Sequence, residues 1–177
     1  MPALVTARLT LIPVTLEAIE AVIAGDKPRA ERVVGAAFPA EWPNRELLER
    51  GFPFSLDAIR ADPVTRLWGD TLVLAREGPR RVLGSVVFHG KPTDGVAEVG
   101  YGIEEGSRGK GLAVEATRAC VDWALEQPGV DAVQATTFPW HAASLGVIRR
   151  LGMEPVGSRE HPTFGELLVF EKARYDR

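Results

Sequence analysis

Cysteine is almost absent: Cys120 is the single one, so no disulfide can form within the chain. Its neighbours Ala119, Val121 and Ala124 suit a small buried hydrophobe better than a reactive thiol. Histidine is scarce, and His89, His141 and His161 stand apart with no cysteine near them, a pattern that offers no metal-ligand spacing and predicts no metal. There is no basic excess either. The formal net charge of −3 leaves no broad positive field to neutralise phosphates, so nucleic acid is not an expected partner. Charges, glycines and prolines cut every apolar run short of the roughly 18 to 20 residues a spanning helix needs, so no membrane is expected. Residues 1–10 lack a basic start followed by an apolar run and a small-residue cleavage site. No secretory leader is therefore expected, and a cytoplasmic location follows.

What is present is enough for a core. Across 177 residues, 45% are hydrophobic and 25% charged, which predicts residues 1–177 as a single soluble domain that needs no covalent staple. No internal repeat, low-complexity tract or interdomain linker interrupts it.

Arg8 to Pro13 alternates and predicts a strand, and Thr15 is placed to cap a helix running to Ala24 and stopped by Gly25. From Phe38 to Pro63, prolines at 39, 43, 53 and 63 break the pattern, although Asn44 and Ser55 could each begin a short helix. The aromatic residues there, Phe38, Trp42, Phe52 and Phe54, with Trp68 beyond, read as core or lid packing. Thr71 to Ala75 and Val82 to Phe88 predict an antiparallel hairpin, and Val96 to Ile103 a third strand. Leu112 to Gln127 predicts a helix ended by Pro128 and Gly129, with Leu112, Ala116, Ala119, Cys120, Trp123 and Leu125 facing inward. A strand over Ala132 to Phe138, a helix over Ala142 to Arg150 closed by Gly152, and a strand over Glu166 to Glu171 complete the chain. This order predicts an α/β architecture, a mixed sheet with helices on both faces.

The chemistry concentrates in Arg108-Gly109-Lys110-Gly111-Leu112-Ala113, between a strand end and a helix start. The first amides of a helix lack internal partners and carry the positive end of its dipole. Two glycines let the backbone approach an anion closely, and the cationic side chains add charge at the rim, so a pyrophosphate fits. A triphosphatase loop would place Ser or Thr after the lysine, but Gly111 follows Lys110. A dinucleotide fingerprint would require a third glycine where Val114 stands, and would not follow antiparallel strands.

Arg108, Gly111 and Ala113 do match Arg/Gln-x-x-Gly-x-Gly/Ala. With Glu98-Val99-Gly100-Tyr101-Gly102-Ile103 before them and Glu115-Ala116 after, the chain resembles the GNAT superfamily of N-acetyltransferases, in particular its RimJ/RimL-like branch. Thr136-Thr137, Ser144 and Leu151-Gly152-Met153 extend the likeness, so that roughly residues 71–170 are covered. The resemblance implies a GNAT-like, mostly antiparallel sheet with a splayed strand pair, and acetyl-CoA as co-substrate. It implies that the amides of Arg108, Gly109, Lys110, Gly111, Leu112 and Ala113 hold the pyrophosphate, and that Ile103 ends the strand that pairs with the pantetheine arm. A carbonyl lying in the splay would be polarised by a strand N–H.

Transfer to an amine requires loss of a proton, since an alkylammonium has a pKa near ~10. Glu98, inside the central strand, is either that base, directly or through water, or an ion-pair partner; the family's frequent glutamate on this strand supports the base. Many family members place a tyrosine where Ile148 stands. Ser144 is then the candidate donor to the departing thiolate, or else a helix-start hydrogen bond. His141 replaces the branch's asparagine; it can donate a hydrogen bond to the cofactor or serve as a turn residue. His89 and His161 read as loop-edge residues with weak claims on substrate, and Tyr101 as packing or as a wall of the acceptor slot. The expected partner is a small-molecule amine or a protein N-terminus; a homodimer is compatible with the family, though no feature isolates one. The competing readings are a CoA-binding sensor or partner-binding module with little turnover, and a nucleotide-binding enzyme.

Overall fold

The computed structural model describes residues 2–40, 52–63, 68–163 and 165–174; Trp42 and Asn44 lie outside these, as does the side chain of Phe54. Strands β1 (Leu4–Val5) and β2 (Leu9–Pro13) lead into α1 (Leu16–Ile23). The Ala18 amide donates to the Thr15 hydroxyl at 3.2 Å, the cap the sequence predicts. Helix α2 (Lys27–Val34) was not anticipated. Its signals are nonetheless local: the Arg29 amide donates to the Asp26 carboxylate at 3.0 Å, and Gly35 closes the helix at φ 68°. Helix α3 (Phe52–Ala61) contains Ser55 rather than starting there.

Strands β3 (Asp70–Ala75), β4 (Val82–Phe88) and β5 (Val96–Ile103) form the predicted antiparallel meander. A single 3₁₀ turn, Glu105–Ser107, precedes α4 (Leu112–Glu126), which crosses over to β6 (Ala132–Thr137), parallel to β5. A parallel neighbour demands such a crossover. Helix α5 (Ala142–Leu151) and the antiparallel pair β7 (Glu154–His161) and β8 (Gly165–Ala173) follow. The eight strands form one sheet in the order β1-β2-β3-β4-β5-β6-β8-β7. Strand β7 also escaped the sequence reading, because nearly all of it is exposed and its Pro155, Gly157 and charged residues show no apolar alternation.

Two apolar clusters cover the two faces. Leu112, Ala116, Cys120, Val121 and Ala124 of α4 pack with Ala97 and Val99 of β5 and with Ile148 and Leu151 of α5. Ile19, Val34, Phe38, Phe52 and Ile59 pack with Leu72, Leu74 and Val82 on the other face. The inward stripe of α4 is therefore centred on the i, i+4 series 112, 116, 120, 124, with Thr117 and Val121 beside it. Ala119, Trp123 and Leu125, expected to face inward, are only partly buried, at the flank of that stripe. Trp68 packs edge-on against Phe88 and beside Trp123, so of the amino-terminal aromatic group Phe38, Phe52 and Trp68 are core. Cys120 is buried too, and burial pushes its thiol up to about 12, which leaves it inert. Among the described residues no helix is long and apolar enough to cross a membrane.

Candidate active site

The residues singled out by sequence converge on a seam in the sheet. Strands β5 and β6 pair at Val96↔Ala132, Ala97↔Val133 and Glu98↔Gln134, and no further. Beyond that point β5 stays bonded to β4 as far as Ile103, while β6 stays bonded to β8 as far as Thr137. The two strands thus part, leaving a wedge between Tyr101–Ile103 and the end of β6. Thr137 Oγ1, buried at the end of β6, has no hydrogen-bond partner among the described residues.

On the α4 side the wedge opens over the glycine turn. Gly109 and Gly111 take φ of 75° and 77°, a region where an ordinary side chain costs roughly 1–2 kcal/mol. Gly111 is the residue before α4, and no side chain caps the helix there, so its first amides stay open to an anion. The turn is braced from two directions. The Arg108 Nε donates to the Ile103 carbonyl at 2.9 Å, tying the turn to the end of β5. Arg8 donates to the Lys110 carbonyl at 2.9 Å and pairs with Glu115 at 2.6 Å. Burial would raise the Glu115 carboxyl, but the Thr6 hydroxyl, the Arg8 amide and the Arg8 guanidinium together hold it below its ordinary value. Arg8 is a functional neighbour that sequence reasoning missed, since nothing local links residue 8 to residue 110.

A cavity of about 570 Å³ runs from this turn to the start of α5, lined among others by Ile103, Arg108, Gly109, Gly111, Leu112, Ala113, His141 and Ser144. It therefore gathers all the proposed cofactor contacts except Lys110, whose Nζ turns back to the Gly106 carbonyl at 3.2 Å. Arg150 also lines it, a second cation that the sequence reading did not select. The Tyr101 hydroxyl lies 3.0 Å from Ser144 Oγ. Burial raises the Tyr101 phenol, with the Ser144 hydrogen bond opposing, so Tyr101 stays protonated and can act as a donor. Ile148 is wholly buried in the core.

Glu98 is on the opposite face. In β5 Ala97, Val99, Tyr101 and Ile103 pack towards α4, so the pleat sends Glu98, Gly100 and Gly102 the other way. Glu98 Oε1 accepts from Arg159 of β7 at 2.7 Å and from the Thr136 hydroxyl at 3.2 Å, and lies 3.5 Å from His89 Nδ1. The His89 contact, and after it Arg159, outweigh burial and lower the Glu98 carboxyl to about 2. Register places Asp70 of β3, Val87 of β4 and Gly100 in one row on this face. Asp70 is buried, and the Ser55 hydroxyl of α3 donates to it at 2.7 Å. Burial raises its carboxyl, with Ser55 and the charge of His89 opposing. Among the described residues no group of His, Cys, Asp and Glu is arranged to hold a metal.

Known proteins resemble this chain in sequence and fold. A family model described as an acetyltransferase (GNAT) domain matches residues 8–154. YjdG of Bacillus subtilis, an uncharacterized N-acetyltransferase, is 26% identical over 153 residues, 86% of this chain and 89% of that protein. The ribosomal-protein-S5-alanine acetyltransferase of Vibrio fischeri superposes with a TM-score of 0.71 at 16% identity, covering 99% of this chain and 98% of that one. For a putative GNAT-family acetyltransferase of Bordetella pertussis the TM-score is 0.69 at 22% identity, covering 98% of this chain and 100% of that one.

Proposed function

The chain belongs to the GNAT acetyltransferase family, and on that premise we propose that it moves the acetyl group of acetyl-CoA to a primary amine, either a small molecule or a protein N-terminus. The carrying observation is the seam between β5 and β6, with open helix amides on one face and the carboxylates Asp70 and Glu98 on the other. Open amides suit a diphosphate and carboxylates suit an ammonium, so donor and acceptor approach from opposite sides.

In this reading the amides of Arg108 to Ala113 hold the pyrophosphate, Arg108, Lys110 and Arg150 add charge around it, and His141 at the start of α5 donates to the cofactor. Acetyl-CoA supplies an activated carbonyl. The backbone from Tyr101 to Ile103, freed from β6, offers the N–H that polarises it. Ser144 and Tyr101, already in mutual hydrogen-bond contact, are placed to donate to the departing thiolate. The resemblance to the RimJ/RimL-like branch, together with a ribosomal-protein acetyltransferase of the same fold, is the reason to include protein amino termini among the acceptors.

The test is thiol release from acetyl-CoA with a panel of alkylamines, arylalkylamines and peptides bearing free Ala, Ser or Met amino termini. Turnover of at least one acceptor is the expected result. Tight CoA binding without turnover of any of them would favour the sensor reading, to which the buried Ile148, in place of a phenol on α5, lends its one specific support.

A further inference from the structure

His89 has only a weak claim on substrate in the reading from sequence, where it stands at a loop edge, yet the fold brings it onto the proposed acceptor face. It follows β4, and its amide donates to the Glu98 carbonyl at 2.9 Å. The alternation of β4 places residue 89 on the same face as Val87 and Ser85. The ring lies across Gly100: a Cβ at that position would come within 3.1 Å of His89 Nε2. Glycine at 100 thus lets the imidazole lie close against the central strand, one residue before Tyr101, where the cavity lining begins. Nδ1 faces Glu98 Oε1 at 3.5 Å. With its hydrogen on Nδ1, the nitrogen nearer this carboxylate, the imidazole carries its lone pair on Nε2. Among the described residues nothing hydrogen-bonds to Nε2, and the side chain is about half exposed to solvent.

We propose that His89 is the group that removes the proton from the acceptor ammonium, with Glu98 as the positioning residue that sets its tautomer and stabilises the imidazolium. The proposal rests on the acetyl-transfer reading above. The N–H bond of the ammonium breaks and its proton passes to Nε2. The freed nitrogen lone pair forms the N–C bond at the thioester carbonyl. Collapse of the adduct breaks the C–S bond, and the second nitrogen proton leaves to the thiolate. The imidazolium returns its proton to water, so that one ammonium and one acetyl thioester give one amide, one thiol and one proton.

Glu98 suits the positioning role better than that of direct base. A carboxylate already satisfied by Arg159, Thr136 and His89 takes up protons poorly, and a base works best with its pKa near the working pH. Other charges face the imidazole. Asp70, on β3, interacts with it electrostatically; Arg159, from β7, shares its Glu98 oxygen. Lys91, two residues on, is engaged with Asp62.

Two measurements on the full chain test this. In the first, the His89 imidazole is titrated by NMR in wild type and in Glu98→Gln, without acceptor or cofactor. The expected result is a midpoint lowered by about one unit, a roughly tenfold loss of proton affinity; an unchanged midpoint overturns the pairing. In the second, His89→Gln is assayed against pH with whichever panel amine wild type turns over fastest. The expected result is a kcat/KM about 100-fold lower, loss of the acid limb of the profile, and acetyl-CoA affinity within twofold of wild type. A wild-type profile in this variant overturns the assignment. Failure of wild type on the whole panel would instead sink the transferase reading, while the NMR titration would still decide whether Glu98 sets the state of His89.

Discussion

The two faces of the seam are built on different principles. On the α4 face the proposed working groups are main-chain amides around Gly109 and Gly111, and they come from one stretch of six residues, Arg108 to Ala113. On the opposite face they are side chains delivered from β3, β4, β5, β7 and α3, namely Asp70, His89, Glu98, Arg159 and Ser55. A backbone site recognises what all its ligands share, in the proposed reading a diphosphate. A side-chain site is free to differ between relatives, which is where acceptor choice belongs.

This contrast predicts unequal responses to mutation. The largest effect is expected at Gly111→Asp, which forces a side chain into a left-handed backbone position and sets a negative charge beside the helix amides. Acetyl-CoA affinity should fall about 100-fold by calorimetry, with the circular dichroism spectrum retained; unchanged affinity in the folded variant would dismantle the anion site. Arg108→Ala should cost much less, about three- to tenfold in the same titration, because the amides remain and only one rim charge and a brace to the Ile103 carbonyl are removed. Complete loss of binding there would mean that side chains, not the main chain, carry this face.

The smallest effect is expected at Asp70→Asn. Burial raises the folded-state carboxyl above its ordinary 3.8. Its favourable contribution is therefore fully present below that value and lost as pH rises through the folded one. Removing the ionisation should leave the variant slightly more stable than wild type at pH 7 and should erase that gain in strong acid. Urea unfolding at the two extremes measures it. An identical difference at both would show that Asp70 does not pay a burial penalty, and the acceptor face would lose its one strained charge.

The same division explains what could be read from the sequence. Arg108 to Ala113 was legible because positive-φ glycines before an amphipathic helix form a local pattern, and the same locality gave the Thr15 cap and the β3–β4 hairpin. The Asp26 and Gly35 signals of α2 were equally local and went unread between stronger ones. Strand β7 carried no signal, for an exposed strand alternates nothing. His89 could not be selected, because its meaning depends on Glu98 across one strand register and on Arg159 arriving from another hairpin. Trp42 and Asn44 lie outside the described residues.

Only three residue pairs join β5 to β6, so two half-sheets are laced together at one end and unlaced at the other. A chain with amide groups laid into the open end would supply the missing rungs of the ladder. In such a molecule the reactant is also a building part, and the catalyst is most completely a sheet at the moment it is in use.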